Sequence, residues 1–195
     1  MSLKARHFFC ARVESARVGR RIRTVKGGKG SENMNLTVVT ASYNALSAFG
    51  LEKIKACVYS VAALPVEHEH LIYDGASTDG TIEILRKLEK EIPSLKVVSE
   101  KDAGIYEALN KGLRGAKGEY FYVIGMDDQI IDVEAFRDCV EKAIKTNADM
   151  LIAKIIIQGD HDTFPSILLD SCCHARECGY AHQGVIIRTS LLRKN

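Results

Sequence analysis

The chain has 195 residues, of which 46% are hydrophobic and 27% charged, with a formal net charge of +2. That suits one globular domain with a sizeable core, and no run approaches the roughly 18 apolar residues needed to span a bilayer. The charge is divided: residues 1–33 carry nine Lys or Arg against Glu14 and Glu32, while the rest carries eighteen against twenty-three Asp or Glu, so the body is mildly acidic and no nucleic-acid partner is expected.

Residues 1–33 lack a hydrophobic period and close in the Gly-rich TVKGGKGSEN. They are expected to be a disordered basic leader or a non-native extension, with the folded domain running from Met34 to Asn195. LTVVTA (36–41) then reads as a short strand followed by the polar turn SYNA. Apolar residues at Leu51, Ile54, Val58, Val61 and Leu64 recur at helical spacing. His68-Glu69-His70 reads as surface leading into a second strand, HLIYDG (70–75), which ends in the polar cluster ASTDG. Ile82, Leu85, Leu88 and Ile92 mark the next helix, with Thr78 or Asp79 as its N-cap. LKVVS (95–99) is a third strand, and Ile105 to Ala116 form a helix with a clean apolar stripe. YFYVIG (120–125) is the fourth strand, Phe136 to Ile144 a further helix, DMLIAKIII (149–157) another strand and GVIIR (184–188) the last. This alternation predicts an α/β sandwich with a mostly parallel central sheet, whose ligands bind beyond the carboxyl ends of its strands.

Those ends are chemically loaded. The first strand ends in Tyr43 and Asn44, the second in Asp74, the third in Glu100 and Asp102, and the fourth in Asp127 and Asp128. Carboxylates alone repel phosphate, but a divalent cation inverts the sign, since hard oxygen ligands hold Mg²⁺ or Mn²⁺ against phosphate oxygens. A tyrosine can stack on a base, and a carboxylate can accept from a base N–H or a ribose hydroxyl. These parts suit a nucleoside diphosphate carrying a leaving-group bond. Because neighbouring strand residues face opposite ways, Asp127 and Asp128 are expected to divide between ribose and metal unless the strand has already turned.

The segments VVTASYN, LIYDGASTDGTIEIL, SEKDAGIYEALNKGLRGAKGEYFYVIGMDD and AHQGVIIR, in this order and spacing, resemble family 2 glycosyltransferases of the GT-A fold, and among them the bacterial subgroup that builds surface polysaccharides. The resemblance implies a Rossmann-like GT-A α/β/α sandwich. It also implies inverting transfer of a sugar from a nucleotide-sugar donor, UDP-linked in most members, to a glycan or lipid-linked acceptor. Carried over by position, it implies that Tyr43 stacks on the base, that Asp74 meets base or ribose, and that Asp127 faces the ribose. Asp128 would hold Mn²⁺ or Mg²⁺, and Asp102, Gly104, Ile105, Tyr106 and Asn110 would line the donor pocket, to which the strand-end Asn44 is also assigned. Met126 and Ala103 stand where the subgroup often has Ser or Ala and Lys or Arg.

The family's general base lies in an acidic segment after the HQ strand, which finds no match before Asn195. The catalytic residue is therefore unknown, the domain reads as truncated at its C-terminal end, and a catalytically incomplete nucleotide-binding module is the alternative function. Six cysteines without a secretory signal predict free thiols in a cytoplasmic setting, at the inner face of the membrane if the acceptor is lipid-linked. That would make membrane association peripheral. Cys172, Cys173, Cys178, His174 and His182 cluster without a zinc-type spacing.

Overall fold

In a computed structural model the described residues are 6–9, 34–153, 155–158, 167–169 and 184–194. The central sheet is built from β2 (Leu36–Ser42), β3 (His68–Asp74), β4 (Leu95–Ser99), β5 (Tyr120–Val123), β7 (Met150–Ile152) and β10 (Val185–Arg188), in the order β4-β3-β2-β5-β10-β7. The first four are mutually parallel, and β10 is antiparallel to both of its neighbours. A mostly parallel α/β sheet, as expected, therefore carries one reversed strand.

Helices cover both faces. On one, α2 (Leu51–Ala62), α3 (Thr81–Glu91) and α5 (Val133–Thr146) enclose the main core around Leu36, Val38, Ile54, Val58, Ile72, Leu85, Tyr122 and Phe136. The Tyr122 and Phe136 rings meet edge-on with centroids 4.9 Å apart, the geometry that aromatic quadrupoles favour. On the other face, α4 (Ile105–Gly115) lies over Val39, Leu71 and Phe121. It sits close because Gly112 has no side chain: a β-carbon there would lie 2.5 Å from Val39 Cγ1. The short α1 (Ala45–Phe49) and α6 (Thr189–Leu192) complete the helices.

Three readings change. DMLIAKIII is not one strand: β7 joins the central sheet, whereas β8 (Ile155–Gln158) joins a second sheet, β6-β1-β8-β9, with β1 (Arg6–Phe9), β6 (Gln129–Ile130) and β9 (Ile167–Leu169). His68-Glu69-His70 is not surface, because Glu69 and His70 are 4% and 1% exposed inside β3. Glu69 Oε1 accepts from the Thr37 hydroxyl (2.8 Å) and the Lys117 N–H (2.6 Å), so its burial is offset by hydrogen bonds. The third helix begins later than expected: Gly80 occupies the cap position before Thr81. Of residues 1–33 only Arg6–Phe9 is described, as a strand; the rest of the leader and the Cys172–His182 cluster lie outside the described residues.

Candidate functional site

The carboxyl ends of β2, β3, β4 and β5 lie side by side, so the loops after them form one edge. The first part of the site is a lattice between the β2–α1 turn and the loop after β3. Asp74, 1% exposed, accepts from the Ser77 N–H (2.9 Å), the Ser99 hydroxyl (2.8 Å) and, in a very short contact, the Ser77 hydroxyl. Asn44 adopts φ 45°, a left-handed conformation that Asn tolerates better than most residues. There its N–H donates to Ser77 Oγ (2.8 Å) and its Oδ1 accepts from the Thr78 N–H (2.9 Å). Asp79 ties the same pieces together, accepting from the N–H groups of Ser47 (2.8 Å) and Thr81 (3.1 Å) and from the Thr81 hydroxyl (2.6 Å). Partial burial works against ionisation of Asp79, but the Thr81 hydroxyl and these N–H donors outweigh it and hold its pKa down to about 2.

Asp74 thus spends most of its acceptor capacity inside the protein. Tyr43 and Asp102 are the side chains presented outward. Tyr43 is 66% exposed, and both flank Gly75: a β-carbon there would lie 3.2 Å from Asp102 Oδ2 and 3.3 Å from the Tyr43 ring. Asp102 Oδ1 also accepts from the Gly104 N–H (2.9 Å), and Glu107 Oε2 accepts from the Ala103 N–H (2.7 Å), which fixes the entry to α4. The Ala103 N–H, then Lys111, keep the Glu107 carboxyl below its ordinary range. Lys111 bridges Glu100 (2.8 Å) and Glu107 (3.4 Å), tying the end of β4 to α4. Gly104, at φ 126°, lies in the region that favours glycine.

The second part is the turn 125–128. β5 ends at Val123, so the alternation of a strand no longer applies to Asp127 and Asp128. The Asp128 N–H donates to the Gly125 carbonyl (3.1 Å), and Asp128 Oδ2 accepts from the Gly125 N–H (3.2 Å). Both carboxylates consequently gather at one glycine. A β-carbon on Gly125 would lie 2.7 Å from Asp128 Oδ2 and 3.1 Å from Asp127 Oδ1. Asp128 is 4% exposed, Asp127 half-buried, and Met126 is sunk in the core. Burial, then the Asp128 charge, raise the Tyr122 hydroxyl and the Cys57 thiol well above their ordinary pKa values.

Two convergent carboxylates fit a hard divalent cation by donor chemistry. No group of three His, Cys, Asp or Glu that could hold a metal occurs among the described residues. An ion here would therefore draw its remaining oxygens from a diphosphate and water, the usual arrangement for Mg²⁺.

Asn110, exposed on α4, lines a different feature. It borders an apolar cleft of about 390 Å³ between α4, β5 and β10, walled by Leu109, Leu113, Phe121, Val123, Val185 and Ile187 and lipped by Tyr106. Ser77, Ser99, Gly75 and Gly125 were not singled out from sequence as site residues. The available signal was a glycine close to aspartate in each turn, Gly75 next to Asp74 and Gly125 two residues before Asp127. Ser42, at the tip of β2, has a buried hydroxyl without a partner among the described residues. No helix among the described residues is long and apolar enough to cross a membrane.

The chain is similar to several known glycosyltransferases. The teichuronic acid biosynthesis glycosyltransferase TuaG of Bacillus subtilis is 38% identical over 98 residues, 48% of this chain and 36% of that protein. Hyaluronan synthase of Pasteurella multocida is 31% identical over 93 residues, 47% of this chain and 10% of that protein. Among solved structures, S. aureus TarS 1–349 in complex with UDP superposes with a TM-score of 0.65 at 24% identity, covering 83% of this chain and 49% of that one, a likeness of fold. The chain covers less than half the length of each of these relatives. The model of the family Glycosyl transferase family 2 matches residues 37–177, which include every strand-end residue described above, and the chain belongs to that family.

Proposed function

We propose that this chain forms the donor-binding part of an inverting, metal-dependent glycosyltransferase of GT-A type. It would move a sugar from a UDP-linked donor to a glycan or lipid-linked acceptor in the building of a surface polysaccharide. The observation that carries the reading is the gathering, on one sheet edge, of an exposed Tyr43 ring beside Asp102 and of two carboxylates around Gly125. The names of TuaG and hyaluronan synthase support polysaccharide chemistry, and the UDP complex of TarS supports the choice of nucleotide.

In this reading Tyr43 offers its face to the base, and Asp102 accepts from the base edge or the ribose. Asp74 holds the loop that presents them and is the inner wall of the pocket. Asp127 takes the ribose side and Asp128 the metal side of the diphosphate. Mn²⁺ or Mg²⁺ bound there supplies Lewis-acid stabilisation of charge on the departing diphosphate. Asn110 and Tyr106 line the apolar cleft, which suits an acceptor.

An inverting transfer also needs a base to deprotonate the acceptor hydroxyl. A second reading is a nucleotide-binding module without turnover of its own. Release of UDP from a panel of UDP-sugars, with Mn²⁺ and varied acceptors, separates the two. Acceptor-dependent release supports the transferase. Tight, Mn²⁺-dependent UDP binding without release supports the module, and neither binding nor release overturns both.

A further inference from the structure

The turn that carries Asp127 and Asp128 is fastened by a helix far away in sequence. On its near side the buried Cys57 thiol donates to the Gly125 carbonyl (3.3 Å), the same carbonyl that accepts from the Asp128 N–H (3.1 Å). On its far side the Ile130 N–H donates to the Ser60 hydroxyl oxygen (3.1 Å), whose proton goes to the Cys57 carbonyl (2.8 Å). Cys57 and Ser60 are three residues apart on α2 and so share a helix face. Their two bonds grip the backbone two residues before Asp127 and two residues after Asp128. Behind them the Thr40 hydroxyl bonds to His70 Nε2 (3.0 Å), and Thr40, Cys57 and His70 are all buried.

We propose that Cys57 and Ser60 are positioning residues that hold the Asp127–Asp128 turn in the geometry needed for the metal-bound diphosphate. The role rests on the transferase reading of the strand-end site. Neither side chain need touch a ligand. Cys57 is 0% exposed and acts as a buried donor rather than as a reactive thiol. Cys57 belongs to the buried core of the helix together with Ile54, Val58 and Val61, so Cys57→Ala removes packing as well as a tether, whereas truncating the half-buried Ser60 removes mainly the tether. Serine at position 57 keeps a donor within reach of the Gly125 carbonyl; alanine does not.

The test combines amide hydrogen exchange with UDP titrations, each with and without Mn²⁺, on wild type, Cys57→Ala, Cys57→Ser and Ser60→Ala. The expected result is faster exchange at Ile130 in Ser60→Ala and a fall of about tenfold in the Mn²⁺-dependent part of UDP affinity in both alanine variants, equivalent to about 1.4 kcal/mol. Metal-free UDP affinity should fall by less, since only the Asp127 contact to the ribose is then affected, and Cys57→Ser should recover most of the loss. A general loss of structure would lower both affinities together and would not be rescued by serine. If Cys57→Ala does not fold, the half-buried Ser60 decides the question. An unchanged Mn²⁺ contribution in Ser60→Ala overturns the proposal while leaving the transferase reading intact. A wild type whose UDP affinity ignores Mn²⁺ overturns that reading first, and the positioning role with it.

Discussion

The two turns that build the strand-end site are held in opposite ways. The loop 74–81 is held largely by its own polar side chains: Asp74 binds Ser77 and Asp79 binds Thr81, and the loop is further tied to Asn44, Ser47 and Ser99. The turn 125–128 contributes the Gly125–Asp128 pair itself and depends otherwise on α2, on Met126 in the core and on Val39, whose carbonyl accepts from the Ile124 N–H (3.1 Å). The first shape combines bonds within the loop with partners 25 to 35 positions away, whereas the second is tied to partners about 70 positions away. A turn of the first kind tolerates changes elsewhere in the molecule, whereas one of the second kind transmits them to the carboxylates.

The sharpest way to break this contrast is a β-carbon at each glycine. Gly125→Ala puts a methyl 2.7 Å from Asp128 Oδ2, so both carboxylates must move. Mn²⁺-dependent UDP affinity measured by calorimetry is expected to fall about 100-fold, roughly 2.7 kcal/mol. Gly75→Ala meets only the Asp102 carboxylate and the Tyr43 ring at 3.2–3.3 Å, and both can yield; a loss nearer threefold is expected, about 0.7 kcal/mol. Equal losses would mean that the two turns are equally rigid.

The buried support under the second turn predicts a pH dependence. Burial, then the nearby His68, lower the His70 pKa to about 3, against an ordinary value of 6.5. Below pH 6.5 the unfolded chain binds a proton that the folded chain refuses, so stability is full above that pH. It falls as pH drops toward 3, by up to about 1.4 kcal/mol per unit. Thermal melts between pH 7 and 4.5 should show this slope, and His70→Gln should flatten it. The window avoids Asp79, whose depressed pKa costs stability only at more acid pH.

In the first loop, Ser77→Ala removes a hydroxyl donor from buried Asp74 and an acceptor from the Asn44 N–H. Denaturant unfolding should register a loss of about 1–3 kcal/mol. The smallest stability effect belongs to the exposed Tyr43. Tyr43→Ala should leave the melting curve within about 0.5 kcal/mol of wild type. It should nonetheless weaken UDP binding with or without Mn²⁺ by about tenfold, in line with the roughly 1–3 kcal/mol of base stacking.

The contrast also explains what the sequence could disclose. DGASTDGT is legible because its bonds join residues close in the chain, and Asp and Ser at such spacing have little else to do. The longer strands and helices from Leu36 to Thr146 are legible for the same reason, since each carries its own period, but the short α1 and β6 are not. Cys57 and Ser60 were not, because on an amphipathic helix nothing separates a residue that grips a distant carbonyl from one that merely packs. The second sheet was hidden by short strands, and Ala153 conceals a change of sheet within one apolar run. Glu69 and His70 read as surface because charge in a strand usually is; the partners that make their burial tolerable, Thr37, Lys117 and Thr40, come from other elements. The adjacent aspartates were legible as a site, but their joint orientation depends on the chain leaving β5 at Val123.

The most direct test of the account is a thermal-shift panel of UDP, GDP, CMP and ADP, each with and without Mn²⁺, on wild type and Asp128→Ala. Ligand at 100 times its Kd adds about 2.7 kcal/mol, roughly 5–10 °C for a domain of this size. The account predicts that rise for UDP with Mn²⁺ in wild type and its loss in Asp128→Ala. A wild type indifferent to every nucleotide, or a UDP shift that survives unchanged without Mn²⁺ and without Asp128, would contradict it.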